Sequence, residues 1–197
     1  MTNKRIGSVE RTTKETSVSV ALNLDGVGTA DIKTGIGFFD HMLSLLSAHG
    51  MMDIQVACKG DLEVDGHHTV EDVGITLGQA FAQALGNKEK IVRYGSFLLP
   101  MDEALVQVAL DLSGRPYLAY NASIAPQILG EFDTGLCEEF FRAFSQAAGI
   151  TLHITVLDGR NAHHMIEAMF KGLGRALDAA KTKDERIRGV PSTKGLL

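Results

Sequence analysis

The chain has 197 residues, and 45% of them are hydrophobic, which is enough apolar surface for a sizeable core. A net charge of −5 without any run of lysine or arginine excludes nucleic acid and anionic membranes as bulk partners. We expect a cytoplasmic protein, because residues 1–7 lack the apolar segment of a signal peptide and the two cysteines form neither a CxxC pair nor a disulfide framework.

Five elements are predicted in the first half of the chain. Small polar and apolar side chains alternate over residues 17–24, which is the period-two pattern of a strand. Apolar side chains recur at helical spacing over residues 38–49 and again over residues 67–85. In chain order we predict a strand at 17–24, a strand at 29–34 that pairs back on it, a helix at 38–49, a strand at 51–58 and a helix at 67–85.

The second half repeats this order. It predicts strands at 104–112 and 117–123, a helix at 134–148, a strand at 151–157 and a helix at 163–181. Each half is therefore predicted to have the element order β-β-α-β-α. Such a unit places its helices on one face of a small mixed sheet, so we predict an α+β protein.

A shared motif indicates that the two halves arose by internal duplication. At an offset of 96 residues, His67-His68-Thr-Val-Glu71 aligns with His163-His164-Met-Ile-Glu167, and Leu77-Gly78 with Leu173-Gly174. Chance similarity between two amphipathic helices does not explain so many matches at one offset. We predict one catalytic domain, 1–197, with pseudo-symmetric halves at about 7–90 and 91–183 and a substrate-binding tail at 184–197.

The duplicated motif has the spacing of a metal site. A histidine and a glutamate four residues apart lie on one face of a helix, so His67 with Glu71, and His163 with Glu167, can reach one ion. The adjacent histidine of each pair projects about 100° further round the helix and can reach a second ion. A surface or capping role is the alternative for a single pair, but the doubling favours two metal sites. Imidazole and carboxylate without thiolate suit zinc, iron or manganese, and the sequence does not choose among them.

Three further histidines have two interpretations each. His41, at the start of the first predicted helix, is a metal ligand or a helix-start residue. His49, at the end of the same helix, is a site residue or a C-terminal cap. His153 lies within a predicted strand, where a packed or hydrogen-bonded side chain is the alternative to a ligand.

Cations in turns and in the tail form a candidate anion site. Arg93 and Arg115 both lie beside glycines, and the tail adds Ser192 and Lys194. Lys171 lies two turns beyond the second histidine pair. A hydroxyl, an ammonium and two guanidinium groups together satisfy a phosphate dianion. Surface arginines and a frayed C-terminus are the alternatives for each feature taken alone.

These segments together resemble the imidazoleglycerol-phosphate dehydratase family of histidine biosynthesis. The similarity runs from about Gly7 to Gly195. It rests on Arg11-Thr-Thr-Lys-Glu15-Thr, Gly37-Phe-Phe-Asp40-His41-Met-Leu, Asp65-Gly-His67-His68-Thr-Val-Glu71-Asp72, Arg93-Tyr-Gly, Pro100-Met-Asp-Glu103, Leu112-Ser-Gly-Arg115-Pro-Tyr, Asn161-Ala-His163-His164-Met-Ile-Glu167-Ala-Met-Phe-Lys171 and Pro191-Ser-Thr-Lys194-Gly.

The resemblance implies a fold like that of ribosomal protein S5 domain 2, two Mn²⁺ ions per active site, and trimers assembled into a 24-mer with active sites at subunit contacts. It implies metal contacts by His41, His67, His68, Glu71, His163, His164 and Glu167. It implies substrate contacts by Glu15, His41, His49, His67, Glu71, Arg93, Arg115, His163, Lys171, Ser192 and Lys194.

One position departs from the family pattern. Many relatives carry a histidine in the second-half helix, as the partner of the His41 site, where this chain has Cys137-Glu-Glu139-Phe-Phe. Either Glu139 supplies the contact, or His153 does, or that ion has one protein ligand fewer.

The implied reaction is the dehydration of D-erythro-imidazole-glycerol phosphate to imidazole-acetol phosphate and water. The proton to be removed has no carbonyl beside it, so the imidazole ring of the substrate must serve as electron sink. A ring held by metal at both nitrogens is an imidazolate, which expels the neighbouring hydroxyl and gives a diazafulvene. A carboxylate must then shuttle protons, and Glu15 and Glu167 are the catalytic candidates.

Two other functions fit parts of the pattern. A dinuclear metallohydrolase of a phosphate ester or amide needs a similar pair of ions, but the chain lacks a GDxxD motif of bridging aspartates. A metal-storage protein would make no use of Arg93, Arg115 and Lys194.

Overall fold

The computed structural model describes residues 4–197. Residues 1–3, which belong to the segment 1–7 that lacks the apolar pattern of a signal peptide, lie outside the described part. Within residues 4–197 no helix is long and apolar enough to cross a membrane. The elements are β1 (Ile6–Thr12), β2 (Thr16–Asn23), β3 (Ala30–Lys33), α1 (Gly37–Gly50), β4 (Asp53–Gly60), α2 (His67–Leu85), β5 (Tyr94–Met101), β6 (Ala104–Asp111), β7 (Tyr117–Asn121), β8 (Ile128–Leu129), β9 (Phe132–Asp133), α3 (Leu136–Ala148), β10 (Thr151–Asp158) and α4 (Ala162–Lys181).

Two four-stranded sheets display the duplication directly. The first has the strand order β1-β2-β4-β3 and the second has β5-β6-β10-β7. In each sheet two antiparallel pairings are followed by one parallel pairing, which joins β3 to β4 and β7 to β10. The predicted α+β class and its duplicated architecture are therefore confirmed.

Apart from the short pair β8 and β9, which the sequence did not predict, each unit has the order β-β-β-α-β-α, one strand more than predicted. The sequence pattern gives no prediction for β1 or β5. The only fully buried residue of β1 is Gly7, and β5 buries Gly95 and Leu99. Because glycine occupies a helix-facing position in both strands, the alternation of apolar side chains that marks a half-buried strand is weak.

The predicted partner of residues 29–34 is wrong. These residues were expected to pair back on the preceding strand, whereas β3 pairs in parallel with β4. Strand β2 pairs with β1 along one edge and with β4 along the other. Since both edges of β2 are taken, β3 joins the sheet at the free edge of β4.

The four helices lie between the two sheets. Helix α2 packs on β1 and β2, and α4 packs on β5 and β6. The helices also pack across the halves, α2 on α3 and α1 on α4. One continuous cluster of buried hydrophobic residues from both halves fills the interior. Helices of different halves therefore bring their side chains to shared contacts.

Two equivalent glycines allow the first strand of each sheet to lie directly against a helix. A Cβ atom at Gly7 would lie 1.9 Å from the carbonyl oxygen of Ala80, and one at Gly95 would lie 1.9 Å from that of Ala176. Both neighbours are helix backbone, which cannot move aside as a flexible side chain can.

We predict that Gly95→Ala lowers the free energy of unfolding by about 3 kcal/mol, the upper part of the range for overpacking a core. Urea unfolding at fixed protein concentration measures the change. Gly37→Ala is the matched control, because nothing lies within 4 Å of a Cβ at that position. Equal stability of the Gly95→Ala variant and the wild type would contradict the close approach of β5 and α4.

Candidate active site

Three side chains from two helices converge on one point. His41 is on α1, and His163 and Glu167 are on α4. The Nε2 atom of His163 lies 3.0 Å from Glu167 Oε2, and the Nε2 atom of His41 lies 3.5 Å from the same oxygen. Within residues 4–197 these three residues form the one group whose ligand atoms all lie within 4.8 Å of each other. We call this group the metal cluster, because its two imidazoles and one carboxylate are candidate ligands for an ion.

Close packing of α1 and α4 brings His41 to the cluster. A Cβ atom at Gly174 of α4 would lie 3.0 Å from the carbonyl oxygen of Leu46 and 2.9 Å from the amide nitrogen of Gly50. Because Gly174 has no side chain, the two helix backbones approach each other there. His41 lies nearer the start of α1, as His163 lies nearer the start of α4.

Glu167 is a buried carboxylate that remains ionised. Its Oε1 atom forms an ion pair with Lys171 Nζ at a distance of 2.6 Å, and Lys171 donates a hydrogen bond to the carboxylate. Burial opposes ionisation, but hydrogen bonds from Lys171 and His163 outweigh it and hold the pKa of Glu167 below its usual value. His49, at the end of α1, lies near Lys171 and Arg175, and burial followed by these two cations lowers its pKa.

The second copy of the motif packs in the same way. A Cβ atom at Gly78 of α2 would lie 2.7 Å from the carbonyl oxygen of Phe144 and 2.9 Å from the amide nitrogen of Ala148. Positions on α3 therefore correspond to positions on α1 at an offset of 98 residues. By this correspondence Glu139 on α3 occupies the place that His41 occupies on α1.

His67 and Glu71 on α2 are thus the counterparts of His163 and Glu167 on α4, as Glu139 is the counterpart of His41. In the described part of the chain the ligand atoms of His67, Glu71 and Glu139 do not all lie within 4.8 Å of one another, as those of the metal cluster do. The carboxylate of Glu139 instead lies 3.8 Å from Arg142 Nε.

His153 lies on the other side of the second sheet. Leu152 and Ile154 are buried toward the helices, so His153, between them on β10, faces outward. Its ring centroid is 5.9 Å from that of Tyr117 on the neighbouring strand. Within one chain His153 cannot reach either histidine pair.

The second histidine of each pair has its own carboxylate partner. His68 Nδ1 lies 3.0 Å from Asp61 Oδ2, and His164 Nδ1 lies 2.7 Å from Glu103 Oε2. Hydrogen bonds to these carboxylates raise the pKa of both imidazoles. The bond to His164 and backbone N–H donors lower the pKa of Glu103 to about 2.

The hairpin at the first two strands of each half brings another carboxylate to the same histidine. Glu15, between β1 and β2, lies 3.8 Å from His68 Nε2. Asp102, between β5 and β6, lies 3.7 Å from His164 Nε2. The duplication therefore extends to the position of an acidic group beside each Nε2 atom.

Buried Asp72 fixes the loop that carries Glu15. Arg11 Nε donates to Asp72 Oδ1 at 2.8 Å, and the hydroxyl of Thr16 donates to Asp72 Oδ2. Thr13 Oγ1 accepts from the backbone N–H of Glu15 at 3.1 Å. Because Asp72 follows Glu71 on α2, the loop is tied to the helix that carries His68.

Three of the predicted cations, Arg93, Arg115 and Lys194, line a groove of about 630 Å³ at the other end of the second sheet. Arg93 is bound through two nitrogens to Asp111, at 2.7 and 3.1 Å, and donates to the carbonyl oxygen of Pro191 at 2.8 Å. We call this the anion groove, lined by Arg93, Tyr94, Ser113, Gly114, Arg115, Ser192, Thr193, Lys194, Leu196 and Leu197.

The first part of the tail is hydrogen-bonded to Lys90, shortly before β5. Asp184 N donates to the carbonyl oxygen of Lys90 at 2.8 Å, and Lys90 N donates to that of Gly189 at 2.8 Å. The sequence interpretation also missed Lys88, whose Nζ atom would lie 3.2 Å from a Cβ at Gly114, a residue of the groove. Burial, together with Arg93 and Arg115, lowers the pKa of Lys88, while Asp111 raises it.

The anion groove and the histidine sites lie at opposite ends of the same strands. Arg93 precedes β5, whereas Asp102 and Glu103, which contact His164, follow it. A strand of eight residues spans about 25 Å at about 3.3 Å per residue. Of the predicted phosphate contacts, only Lys171 lies at the metal cluster.

Residues 34–177 match the family described as imidazoleglycerol-phosphate dehydratase. The chain belongs to this family. It is 61% identical over 189 residues to the imidazoleglycerol-phosphate dehydratase of Acetivibrio thermocellus, a match that covers 96% of this chain and 97% of that protein. The enzyme of the same name from Caldanaerobacter subterraneus is 60% identical, with 98% of this chain and 100% of that protein covered.

Solved structures of dehydratases share the fold. The Staphylococcus aureus enzyme has a TM-score of 0.83 and 41% identity, covering 91% of this chain and 99% of that one. The IGPD of Pyrococcus furiosus, in complex with (S)-C348, has a TM-score of 0.83 and 40% identity, covering 96% and 100%. Family membership therefore confirms the resemblance inferred from the motifs.

Sequence interpretation assigned no role to several residues of this family member that contact the site. The motif Pro100-Met-Asp-Glu103 was noticed, but without an assignment for either acid. Asp61 and Asp111 carried no signal of their own, since single acidic residues at the end of a strand are common. Their contacts with His68 and Arg93 form only in the folded chain, which brings these residues together.

Proposed function

We propose that this chain catalyses the dehydration of D-erythro-imidazole-glycerol phosphate to imidazole-acetol phosphate and water in L-histidine biosynthesis, as a hydro-lyase. Membership of the dehydratase family over nearly the whole chain supports this activity. The observation that carries it is the metal cluster, in which His41 joins His163 and Glu167 across the two halves.

The proposed cofactor is a pair of Mn²⁺ ions in each active site. The donors of the metal cluster are two imidazole nitrogens and a carboxylate oxygen, without thiolate, which suits manganese. His67, Glu71 and Glu139 are the corresponding set in the first half, and His68 and His164 add the remaining imidazoles. When bound, the ions supply Lewis acidity and a template for the imidazole ring of the substrate.

Residues of the chain itself handle the protons and the phosphate. A carboxylate must remove the proton from the side-chain carbon one bond beyond the carbon that loses its hydroxyl. Glu15 is the proposed general base, because its loop is anchored and its carboxylate faces His68 without a hydrogen bond. Glu167 is held ionised by Lys171 and is the second candidate.

The anion groove is the proposed phosphate site. Arg115 and Lys194 supply charge, and Ser192 supplies a hydroxyl donor. Arg93 is already bound to Asp111 and to the tail, so it arranges the groove as well as adding charge. A fixed phosphate holds the rest of the substrate in one orientation.

A complete site requires more than one copy of the chain. The substrate has only a three-carbon chain between ring and phosphate, whereas about 25 Å separates the two ends of β5. We therefore propose that the anion groove of one subunit serves the histidines of another, within trimers assembled as 24 copies. Tyr94, Leu98 and Tyr117, which are 57%, 54% and 59% exposed on the outer face of the second sheet, are available for such contacts.

A cytoplasmic location is part of the same proposal. Cys58 and Cys137 are both free thiols in the described chain, which suits a reducing compartment.

One set of measurements tests the proposal. Elemental analysis of the purified protein should find two manganese ions per chain, and native mass spectrometry should find a mass far above that of a trimer. The protein should dehydrate imidazoleglycerol phosphate, lose this activity on chelation and regain it with Mn²⁺. Hydrolysis of a generic phosphate ester in place of dehydration would instead establish a metallohydrolase.

The assignment of Glu139 can be tested separately from that of the metal cluster. We predict that Glu139→Gln weakens the binding of one of the two manganese ions by about 10-fold or more, because a neutral amide is a poorer donor for a hard cation. His153→Gln should leave both ions bound, since His153 faces away from the helices. Titration calorimetry with Mn²⁺ measures both variants, and the reverse outcome would assign the contact to His153.

A further inference from the structure

His68 and His164 are each hydrogen-bonded through Nδ1 to a carboxylate. The distances to Asp61 are 3.0 and 3.2 Å, and the distance from His164 to Glu103 is 2.7 Å. The two acids come from different places in the duplicated unit, because Asp61 follows β4 whereas Glu103 precedes β6. The two halves therefore place a carboxylate beside Nδ1 of the second histidine from different positions in the unit.

An ionised carboxylate can only accept a hydrogen bond, so each Nδ1 atom must carry the proton. In a neutral imidazole the lone pair is then on Nε2. The nearest acids to the two Nε2 atoms, Glu15 and Asp102, lie at 3.8 and 3.7 Å, beyond hydrogen-bond distance. Among residues 4–197 neither Nε2 atom has a hydrogen-bond partner, so both are free to donate a lone pair to a cation.

Glu103 is itself held in place. Its Oε1 atom accepts from the backbone N–H of Asn161 at 2.8 Å and of Arg160 at 3.4 Å, which leaves Oε2 for His164. The side chain of Asn161 in turn caps α4 by accepting from the backbone N–H of His163 at 3.0 Å. The start of the helix and the carboxylate therefore form one rigid unit.

We infer that Asp61 and Glu103 are positioning residues that fix the Nδ1–H tautomer of His68 and His164 and so direct Nε2 of each ring to a metal ion. The inference rests on the proposed function for the presence of metal. It adds two residues whose effect is transmitted through the imidazoles, since neither carboxylate needs to touch an ion. Carboxylate partners of this kind change metal affinity by about 10- to 100-fold.

Glu103→Gln tests the role with little change of shape. The amide oxygen can keep the hydrogen bond from Asn161, which turns the NH₂ group toward His164 Nδ1. That nitrogen must then accept, so the proton moves to Nε2, the wrong place for metal binding. At His68 both oxygens of Asp61 face Nδ1, so Asp61→Ala, which removes the acceptor altogether, provides an independent second variant.

The first readout is the tautomer in the metal-free protein. Nitrogen-15 NMR at alkaline pH, with histidine signals assigned from single substitutions, should find Nδ1–H at both rings in the wild type. Glu103→Gln should shift His164 toward Nε2–H, and Asp61→Ala, which leaves Nδ1 without its acceptor, should do the same for His68. Unchanged tautomers in both variants would overturn the inference, whether or not the protein binds metal.

The second readout is manganese affinity by titration calorimetry. Each variant should raise the dissociation constant of Mn²⁺ by about 10- to 100-fold. Asp31→Asn is the control, because this exposed acid lies on β3 and its one ion pair within the described residues is with Lys33. Wild-type affinity in both variants would also overturn the inference, whereas a wild type that binds no Mn²⁺ would instead refute the proposed function.

Discussion

Replacing His163 by alanine is expected to lower kcat/KM for dehydration by about 1000-fold and to release manganese. His163 Nε2 lies 3.0 Å from Glu167 Oε2 at the centre of the metal cluster. Without His163, the metal cluster keeps two of its three candidate metal ligands, His41 and Glu167. A Lewis acid contributes several kcal/mol to a transition state, and about 4 kcal/mol corresponds to this loss of rate. Steady-state kinetics and elemental analysis of the same preparation measure both effects.

His153→Ala is the matched control for this substitution. It removes an imidazole from the same half of the chain, but from the outer face of the second sheet. It should retain both the manganese content and the rate. A His163→Ala protein that retains full metal and full activity would mean that the metal cluster is not the catalytic centre.

Glu15→Gln is expected to lower kcat by about 100- to 10,000-fold, the range for loss of a general acid or base. In contrast to His163→Ala, it should retain its manganese, because Glu15 is not one of the proposed metal donors. The loop should keep its shape, since it is held by Thr13 and Asp72 and not by the Glu15 side chain. The measurement is single-turnover kinetics on protein of verified metal content.

Glu10→Gln provides the comparison for Glu15→Gln. Glu10 is an exposed glutamate on β1, a few residues before the loop, and should tolerate the change in full. Undiminished turnover in Glu15→Gln would remove Glu15 from proton transfer and leave Glu167 as the candidate. Loss of manganese in Glu15→Gln would assign it to the metal site instead.

These two predictions separate two kinds of failure. A residue that binds the ion should lose metal and rate together, whereas a residue that moves a proton should lose rate alone. The distinction is useful here because acidic side chains surround both histidine pairs. Their proximity to an imidazole does not by itself reveal which role they have.

The shared helix face of His163 and Glu167 was determined by the sequence itself. Four residues along a helix return a side chain to the same face, so HHxxE on a helix places the first histidine and the glutamate on one face in any fold. The duplication was also readable, since the same motif and the same Leu-Gly pair recur at one offset. Both features depend on local geometry, which propagates from residue to residue without reference to the rest of the chain.

The strand pairing was decided by the tertiary structure. Whether residues 29–34 pair with the strand before them or after them depends on which edge is free, and β1, which carries little hydrophobic signal, occupies the edge in question. Similarly, the backbone approach at Gly7 and Gly95 requires a helix from elsewhere in the unit. Neither fact is contained in the pattern of the strand alone.

The assembly of the site also belongs to the tertiary structure. His41 was a candidate with two interpretations until α1 packed on α4 and placed its imidazole 3.5 Å from Glu167. The packing of α2 on α3 likewise placed Glu139 in the position of His41, and β10 turned His153 to the opposite face. The sequence thus determined which groups lie on one helix face, because that spacing is local. Only the packing of separate elements decided which faces meet, because those contacts join residues that are far apart in the chain.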